Sequence, residues 1–253
     1  MKVKNWHKIF NKKDFFYVTE SNFKKKKKNF LATSYLLTKI IHPELDKKRY
    51  NKIINFIYEK LKIKKKSSLL DFGSGNGGLL YYFLKKYNLI NNYSFEISAP
   101  LLKIQKNFIN KTSFFKTHHI NLKFLENFKN DLVDNSMSIS VFQYFYSTKY
   151  CYQVLEFLLR VTKKNILIYD IKNLKTKFNY REEVRKRQNL TRLKFKKKYS
   201  NTPLRFYEKK MFEKILKKLQ NKYDFSFKFH QLPNGATDHK YGYCLIISKN
   251  NSI

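Results

Sequence analysis

A chain of 253 residues has the length of one large domain, or of one domain with a small cap. Its hydrophobic fraction of 42% and aromatic fraction of 17% exclude a disordered protein, and its two cysteines exclude a disulfide scaffold. The sequence has no run of 18 apolar residues, and its basic N-terminus lacks the apolar stretch of a signal peptide. We therefore expect a soluble, cytoplasmic protein without a membrane span.

The formal net charge of +36 comes from 54 Lys and Arg residues against 18 Asp and Glu residues. Only seven of these 54 are Arg, and the lysines accompany 24 Phe and 19 Tyr, which like lysine have A/T-rich codons. Proteins that read phosphate groups favour Arg for its bidentate geometry. An A/T-rich genome therefore accounts for much of the charge, and we interpret the global excess as solvated surface.

Residues 1–66 are predicted to form a polar, helical N-terminal extension or cap. Its clearest helix has apolar residues at helical spacing, namely Tyr50, Ile53, Ile54, Ile57 and Leu61. From Ser67 onward strands alternate with helices, and we assign residues 67–253 to the main domain. The predicted strands are 69–72, 93–97, 113–118, 138–142, 165–170, 225–231 and 243–248, and the clearest predicted helices are 100–109, 150–161 and 208–219.

This alternation predicts an α/β fold with a doubly wound, seven-stranded, mostly parallel sheet. The last two predicted strands have no helix between them, which indicates that the last strand is antiparallel. A basic segment, residues 172–207, follows the fifth strand and is predicted to be a helical insert.

Glycines are concentrated in one turn after the first strand. Asp71 ends that strand, and four of the six glycines of the chain follow within residues 73–78. Glu96 lies 19 positions beyond Gly77, at the end of the next predicted strand. A glycine turn lets a ligand approach the backbone, and an acid about 20 residues later can accept both ribose hydroxyls. The pairing predicts a nucleoside-type cofactor.

The run Leu70-Asp71-Phe72-Gly73-Ser74-Gly75-Asn76-Gly77 resembles the first motif of class I S-adenosylmethionine-dependent methyltransferases, a family with a Rossmann-like fold. The resemblance covers about residues 67–248 and is closest to small-molecule and glycan-type members. It implies that S-adenosyl-L-methionine is the cofactor, that Asp71 meets its methionine amino group, and that Glu96 binds its ribose. The cofactor-binding residues that it implies are Asp71, Gly73, Ser74, Gly75, Asn76, Glu96, Ile97, Asn121, Phe142 and Gln143.

Two positions depart from the family pattern. The acid often found after the third strand has no clear match, and Asn121 is the nearest polar residue. The fourth predicted strand begins with Ser138, where many relatives have Asp.

The acceptor is expected above the carboxyl ends of the strands, between the N-terminal extension, the insert and the loop that joins the last two strands. Residues 172–210 hold 15 Lys and Arg against three Glu. Arg181, Arg185 and Arg192 have the spacing i, i+4, i+11, near one face of a helix, and predict an anion-binding site together with Tyr146. The alternative is a solvated cap helix.

Candidate catalytic residues are the pair Asp238 and His239 in the last loop, and Tyr144 after the fourth strand. A His beside an Asp can act as a general base near neutral pH, although His239 can equally be a polar hairpin residue. His118 and His119 lack a third ligand at metal spacing, so we predict no metal site.

The sequence thus predicts a methyltransferase that transfers a methyl group to O or N of a small, anionic metabolite or sugar. After the fourth strand the Asn-Pro-Pro-Tyr type motif of enzymes that methylate exocyclic amines is missing, and so is the Pro-Cys pair of enzymes that attack pyrimidine C6. The alternatives are an RNA methyltransferase that uses the basic insert and, less favoured, a non-catalytic binding protein. The oligomeric state is not predicted.

Overall fold

The computed structural model describes residues 34–38, 45–108, 115–119, 125–200, 204–235 and 239–250. Within these ranges the chain forms one mixed sheet with the strand order β3-β2-β1-β4-β5-β7-β6. The strands are β1 (Leu69–Phe72), β2 (Asn92–Glu96), β3 (Phe115–His119), β4 (Val133–Ile139), β5 (Thr162–Lys172), β6 (Phe225–Gln231) and β7 (Gly242–Lys249). The predicted α/β class with a mixed sheet is confirmed.

Strands β1 to β5 are parallel, and β7 is antiparallel to both of its neighbours, β5 and β6. The strand order reverses between β1 and β4, because the chain continues from β1 to β2 on one side and returns to β4 on the other. In such sheets ligands bind outside the carboxyl ends of the strands at the reversal.

Seven helices of eight or more residues are described. They are α1 (Lys47–Leu61), α2 (Gly78–Tyr87), α3 (Ala99–Phe108), α4 (Thr148–Val161), α5 (Lys177–Arg187), α6 (Arg192–Tyr199) and α7 (Lys209–Gln220). Residues 34–38 form a short helical segment before α1. None of the helices in the described ranges has the length and apolar character needed to cross a membrane.

The sheet is covered on both faces. On one face, α1 and α2 pack against apolar side chains of β1, β4 and β5, and the stripe Tyr50, Ile54, Ile57 and Leu61 of α1 is buried there. On the other face, α4 and α7 pack against the side chains of these strands that point that way. Helix α1 begins where the Asp46 side chain accepts a hydrogen bond from the Arg49 amide at 2.8 Å.

Two predictions of local structure are wrong. The fourth strand was predicted at 138–142, but it begins at Val133 and ends at Ile139, because Ser140 has a φ of 57° and a 3-10 turn follows it. The insert was predicted to place Arg181, Arg185 and Arg192 near one helix face. It forms two helices, since α5 ends at Arg187 and Thr191 caps a new helix from Arg192.

Candidate active site

The turn between β1 and α2 is fixed to the carboxyl ends of the neighbouring strands. The amides of Gly73 and Ser74 both donate to the Phe95 carbonyl of β2, at 2.7 and 3.0 Å. Gly73 has a φ of +78°, and a Cβ there would lie 2.4 Å from a methyl carbon of Val141, after β4. A side chain at residue 73 would therefore displace the loop after β4, so glycine is required there.

Glu96, at the end of β2, has a buried carboxylate that organises this turn. Its Oε2 accepts from the Gly75 amide at 2.7 Å, and its Oε1 accepts from the amides of Ile97 and Ser98, both at 2.8 Å. Burial raises the pKa of Glu96 to about 7 although these three amides lower it. The carboxylate is thus held in one orientation beside the glycine turn, with lone pairs left to accept from hydroxyl groups.

Asp71, at the end of β1, lies beside the same turn with an unsatisfied carboxylate oxygen. The residue is 2% exposed, and among the described residues no hydrogen-bond partner exists for its Oδ1. Burial, and then the nearby charge of Glu96, raise the pKa of Asp71 to about 8. A buried polar atom without a partner carries a free-energy cost that a bound donor, such as an ammonium group, would remove. This carboxyl therefore fits the amino group of S-adenosylmethionine, the cofactor that the resemblance implied.

A buried polar network of side chains from β2 and α3 contacts the glycine turn. The Ser74 hydroxyl bonds to that of Ser94, and the Gln105 amide nitrogen donates to the Ser74 hydroxyl at 2.9 Å and to the Gly75 carbonyl. Sequence reasoning missed Ser94 and Gln105. Their only local signal is a polar residue at a position facing the core, in a strand and in a helix.

The segment 34–38 packs on the other side of the turn. The Asn76 side chain donates to the Leu37 carbonyl and accepts from the Gly78 amide, and Ser34 donates to the Gly78 carbonyl. The Ser34 hydroxyl also contacts the Tyr50 hydroxyl of α1. The Asn76 side chain thus joins the N-terminal segment to the turn, and its predicted contact with a cofactor stays a prediction.

The loop after β4 contains three residues that the sequence singled out. The Phe142 ring is buried against Phe145 and Phe212, so it packs into the core. Gln143 is also buried; its Nε2 donates to the Ser140 carbonyl at 3.3 Å, and its Oε1 has no partner among the described residues. Tyr144 ends the 3-10 turn. The orphan oxygen makes Gln143 the member of this loop best suited to accept from a ligand.

Sequence reasoning also missed a charged group at the ends of β4 and β5. The Asp170 carboxylate accepts from the Ser140 hydroxyl at 2.8 Å and from the Lys172 ammonium at 2.9 Å. Lys172 is 2% exposed, and its Nζ lies 4.8 Å from the ring centre of Tyr180 in the insert. A buried ion pair at this edge of the sheet has no signal in the sequence, because its members meet only through the strand register.

The arginines of the insert are engaged by neighbouring acids. Arg185 contacts Glu182 through two nitrogens at 3.1 and 3.0 Å and donates to the Leu190 carbonyl at 2.8 Å. Arg192 lies 4.0 Å from the same carboxylate, and these arginines lower the pKa of Glu182. The Arg181 guanidinium lies 6.0 Å from the ring centre of Phe206. Arg185 and Arg192 thus share the Glu182 carboxylate, Arg181 lies beside an aromatic side chain of the insert, and the anion-binding role of the three arginines stays a prediction.

The segments predicted to enclose the acceptor do meet. The Lys52 ammonium of α1 donates to the Asn234 carbonyl of the loop between β6 and β7 at 2.8 Å. The Tyr241 hydroxyl in that loop donates to Glu183 of the insert. Asn121 and Asp238 lie outside the described residues, so the predicted Asp238–His239 pair stays a prediction. Tyr146 is exposed, and no group of metal-ligating side chains occurs in the described ranges.

This mixed sheet, parallel from β1 to β5 with β7 antiparallel, has the class I methyltransferase fold, and its glycine turn and two buried acids lie at the carboxyl ends of β1 and β2. Residues 39–213 match the family described as mycolic acid cyclopropane synthetase. The chain belongs to this family of S-adenosylmethionine-dependent methyltransferases, whose cofactor is S-adenosylmethionine. A comparison with curated protein sequences found no match.

Solved structures share the fold at low sequence identity. The magnesium protoporphyrin IX methyltransferase from Synechocystis PCC 6803 has a TM-score of 0.57 and 12% identity, over 97% of this chain and 98% of its own. The geranyl diphosphate C-methyltransferase from Streptomyces coelicolor A3(2) has a TM-score of 0.54 and 10% identity, over 80% and 81%. The methyltransferase domain of the bacterial protein CtHen1-C has a TM-score of 0.56 and 16% identity, over 81% and 100%.

Proposed function

We propose that this methyltransferase transfers the methyl group of S-adenosylmethionine to O or N of a small, anionic metabolite or sugar. The observation that supports a small acceptor is the contact among α1, the insert and the loop between β6 and β7. Lys52 joins α1 to the loop between β6 and β7, and Tyr241 joins that loop to the insert. The loop at the carboxyl end of β6 thus contacts both α1 and the insert, and an acceptor site bordered by such linked segments would suit a small molecule better than a long polymer.

In this proposal the two buried acids hold the cofactor. The unsatisfied Oδ1 of Asp71 accepts from the amino group of the methionine part, and Glu96 accepts from the ribose hydroxyls. Gln143 Oε1, which also has no partner among the described residues, supplies a further acceptor after β4. The backbone of Gly73 and Gly75 would lie close beneath the cofactor. Asn121 and Ile97 keep their predicted roles near it.

The anionic character of the acceptor is supported by an aromatic cluster with cations around it. The ring of Tyr180 lies 5.6 Å, centre to centre, from both Phe206 and Tyr241. The Lys177 ammonium and the Arg181 guanidinium each lie 6.0 Å from the ring centre of Phe206. Aromatic faces that adjoin cations suit a ring or sugar that carries a carboxylate or phosphate.

Methyl transfer from a sulfonium is an in-line displacement in which the positive charge disappears, so proximity supplies most of the catalysis. An acceptor that loses a proton also needs a base. His239 with Asp238, and Tyr144, remain the proposed groups for this step.

The test is transfer of a tritiated methyl group to defined acceptors: glucuronate, hydroxybenzoate, geranyl diphosphate, oleate and RNA. Geranyl diphosphate and oleate are included because of the fold neighbour and the family name. We expect transfer to an anionic small molecule. The double variant Lys177→Gln/Arg181→Gln should raise KM for it about tenfold with little change in kcat, as expected when two cations that bind an anion are lost. The matched control Lys214→Gln/Lys217→Gln, on the exposed side of α7, should leave KM unchanged. Glucose and phenol are the neutral counterparts of the first two acceptors, and transfer only to these, or only to a carbon atom of geranyl diphosphate or oleate, would contradict the proposal.

RNA is the second candidate acceptor, and one observation favours it. Helix α6 carries Arg192 and four lysines, and the two large apolar side chains that are most exposed among the described residues, Phe178 at 71% and Leu193 at 77%, lie on the same insert. Exposed apolar side chains among cations suit a single-stranded nucleic acid. An affinity for RNA that falls steeply with salt, together with RNA methylation, would replace the small acceptor by RNA.

A further inference from the structure

Two non-glycine residues with positive φ lie side by side at the carboxyl edge of the sheet. Ser140, directly after β4, has a φ of 57°, and Asp170, in β5, has a φ of 61°. The other described non-glycine residues with positive φ lie at helix ends, turns or bends: Lys62, Lys66, Asn88, Asn91, Asp131 and Asn189. Asp170 instead lies within a strand, where the register with β7 shifts between Ile168 and Ile171. Strained backbone of this kind persists only where the surrounding contacts impose it, and it occurs preferentially at functional sites.

The contacts of the two residues explain how the strain is held. The Ser140 amide donates to the Tyr169 carbonyl at 3.0 Å, and its hydroxyl donates to Asp170 Oδ2 at 2.8 Å. Lys172 contacts the other carboxylate oxygen at 2.9 Å. Gly242 of β7 leaves room for this carboxylate, because a Cβ there would lie 3.0 Å from Asp170 Oδ1. Both oxygens of Asp170 are therefore fixed, one by a hydroxyl and one by a buried cation.

The buried ion pair of Asp170 and Lys172 is not explained by a gain in folding stability alone. A buried ion pair loses its hydration, and apolar side chains of the same size are often at least as stabilising. Its place in the fold points to the loop after β4 instead. Ser140 precedes Val141, whose side chain lies against Gly73 of the glycine turn. The Ser140 carbonyl accepts a hydrogen bond from the Gln143 side chain. The position of Ser140 thus sets the wall of the cofactor site.

We propose that Asp170 is a positioning residue: by holding Ser140 it keeps the loop of residues 141–143 in the conformation that binds the cofactor, with Lys172 as its fixed counter-ion. The inference depends on the cofactor of the family and not on the proposed acceptor. It predicts that cofactor affinity depends on the Ser140 hydroxyl even where the fold does not.

The first test separates affinity from stability with the variant Ser140→Gly. Glycine adopts positive φ without the penalty that serine has, so the variant relieves the strain while it removes the hydroxyl. We expect a thermal midpoint within about 2 °C of the wild type. The Kd for S-adenosylhomocysteine, measured by calorimetry, should rise about tenfold, because glycine without the contact to Asp170 also adopts other φ values and a smaller fraction of molecules has the competent loop. The matched control is Asn189→Gly, which relieves the same kind of strain in a turn of the insert and should leave the Kd unchanged.

The second test restores the contact without the charges. Asp170→Asn should weaken binding of S-adenosylhomocysteine, because the Lys172 ammonium loses its anionic partner in a buried place. In Asp170→Asn/Lys172→Met the amide oxygen can still accept from Ser140 and neither residue 170 nor residue 172 carries a charge, so affinity should return to within about threefold of the wild type. Wild-type affinity in Ser140→Gly, or no recovery in the double variant, would overturn the inference. A wild type that does not bind S-adenosylhomocysteine would overturn the cofactor assignment as well. If the protein methylates the proposed acceptor and these variants change nothing, the positioning role of Asp170 is overturned and the proposed acceptor is retained.

Discussion

The affinity for the cofactor should depend on pH through Asp71. In the ligand-free protein, burial raises the pKa of this carboxyl to about 8, so at pH 6 most molecules carry a neutral acid there. The ammonium group of the cofactor favours the charged carboxylate, so binding lowers the pKa of Asp71 and releases a proton. The affinity for the cofactor therefore rises as pH increases and levels off once the pH exceeds about 8.

The size of the effect follows from that pKa. With a value of about 8, roughly 1% of molecules have an ionised Asp71 at pH 6 and roughly half at pH 8, so the affinity should rise roughly 50-fold between these pH values. Glu96, with a pKa of about 7, adds to the rise if it too must be charged in the complex. The dependence should be steepest between pH 6 and 7, where both acids are still partly protonated.

Calorimetric titration with S-adenosylhomocysteine at pH 6.0, 7.0 and 8.0 measures the change. Repeating the titration in buffers of different ionisation enthalpy gives the number of protons released. The control Asp71→Asn cannot ionise at this position, so it should bind more weakly at pH 8 and lose most of the pH dependence. An affinity that is constant across this range, or a net uptake of protons, would refute the reasoning.

Three further outcomes follow from the contacts described above. Because the folded-state pKa of Asp71 is raised above its unfolded value of about 3.9, the ligand-free protein should lose stability between pH 5 and pH 8; urea unfolding should show a smaller loss in Asp71→Asn, and equal slopes would contradict this. Gly78→Ala should lower the thermal midpoint and weaken S-adenosylhomocysteine binding, because the new Cβ would lie 2.6 Å from the Thr38 hydroxyl; unchanged values would mean that segment 34–38 does not restrain the turn. Phe212→Ala should cost about 3–5 kcal/mol in urea unfolding and the exposed Lys214→Ala under about 0.5 kcal/mol, and similar losses would place Phe212 outside the core.

The fold could be predicted where burial leaves an apolar pattern in the sequence. Strand β6 was predicted at its observed bounds, and the stripe of α1 was identified by its helical spacing. Strand β4 was misplaced because its buried positions include Asn135, Ser136 and Ser138. Ser136 bonds to a hydroxyl of β5, and Ser138 donates to a carbonyl of β1 at 2.9 Å. Buried polar side chains that are satisfied by neighbouring strands have no apolar signature, so periodicity cannot find them.

The site could be predicted only where its residues are close in the sequence or at a fixed spacing. Asp71 and the glycines form one local run, and Glu96 follows at the distance of one helix. The contact between Ser140 and Asp170 depends on the register of β4 and β5, and neither serine nor aspartate by itself predicts a positive φ. The separation of Arg192 from α5 did have a local signal, since Thr191 is a favoured N-cap residue and accepts from the Lys194 amide at 3.3 Å.

The packing of α1 has a consequence for the order in which the chain can fold during synthesis. Its carboxyl end meets β5, where the Asn165 side chain donates to the Leu61 carbonyl across 104 positions of sequence. At translation rates of about 5–20 residues per second, α1 leaves the ribosome roughly 5–20 s before β5, the last of the parallel strands that it packs against. For that interval Tyr50, Ile54 and Ile57 have only part of their sheet to pack against, first β1 and later β4. The nascent chain is therefore expected to need a chaperone most during the synthesis of residues 62–165.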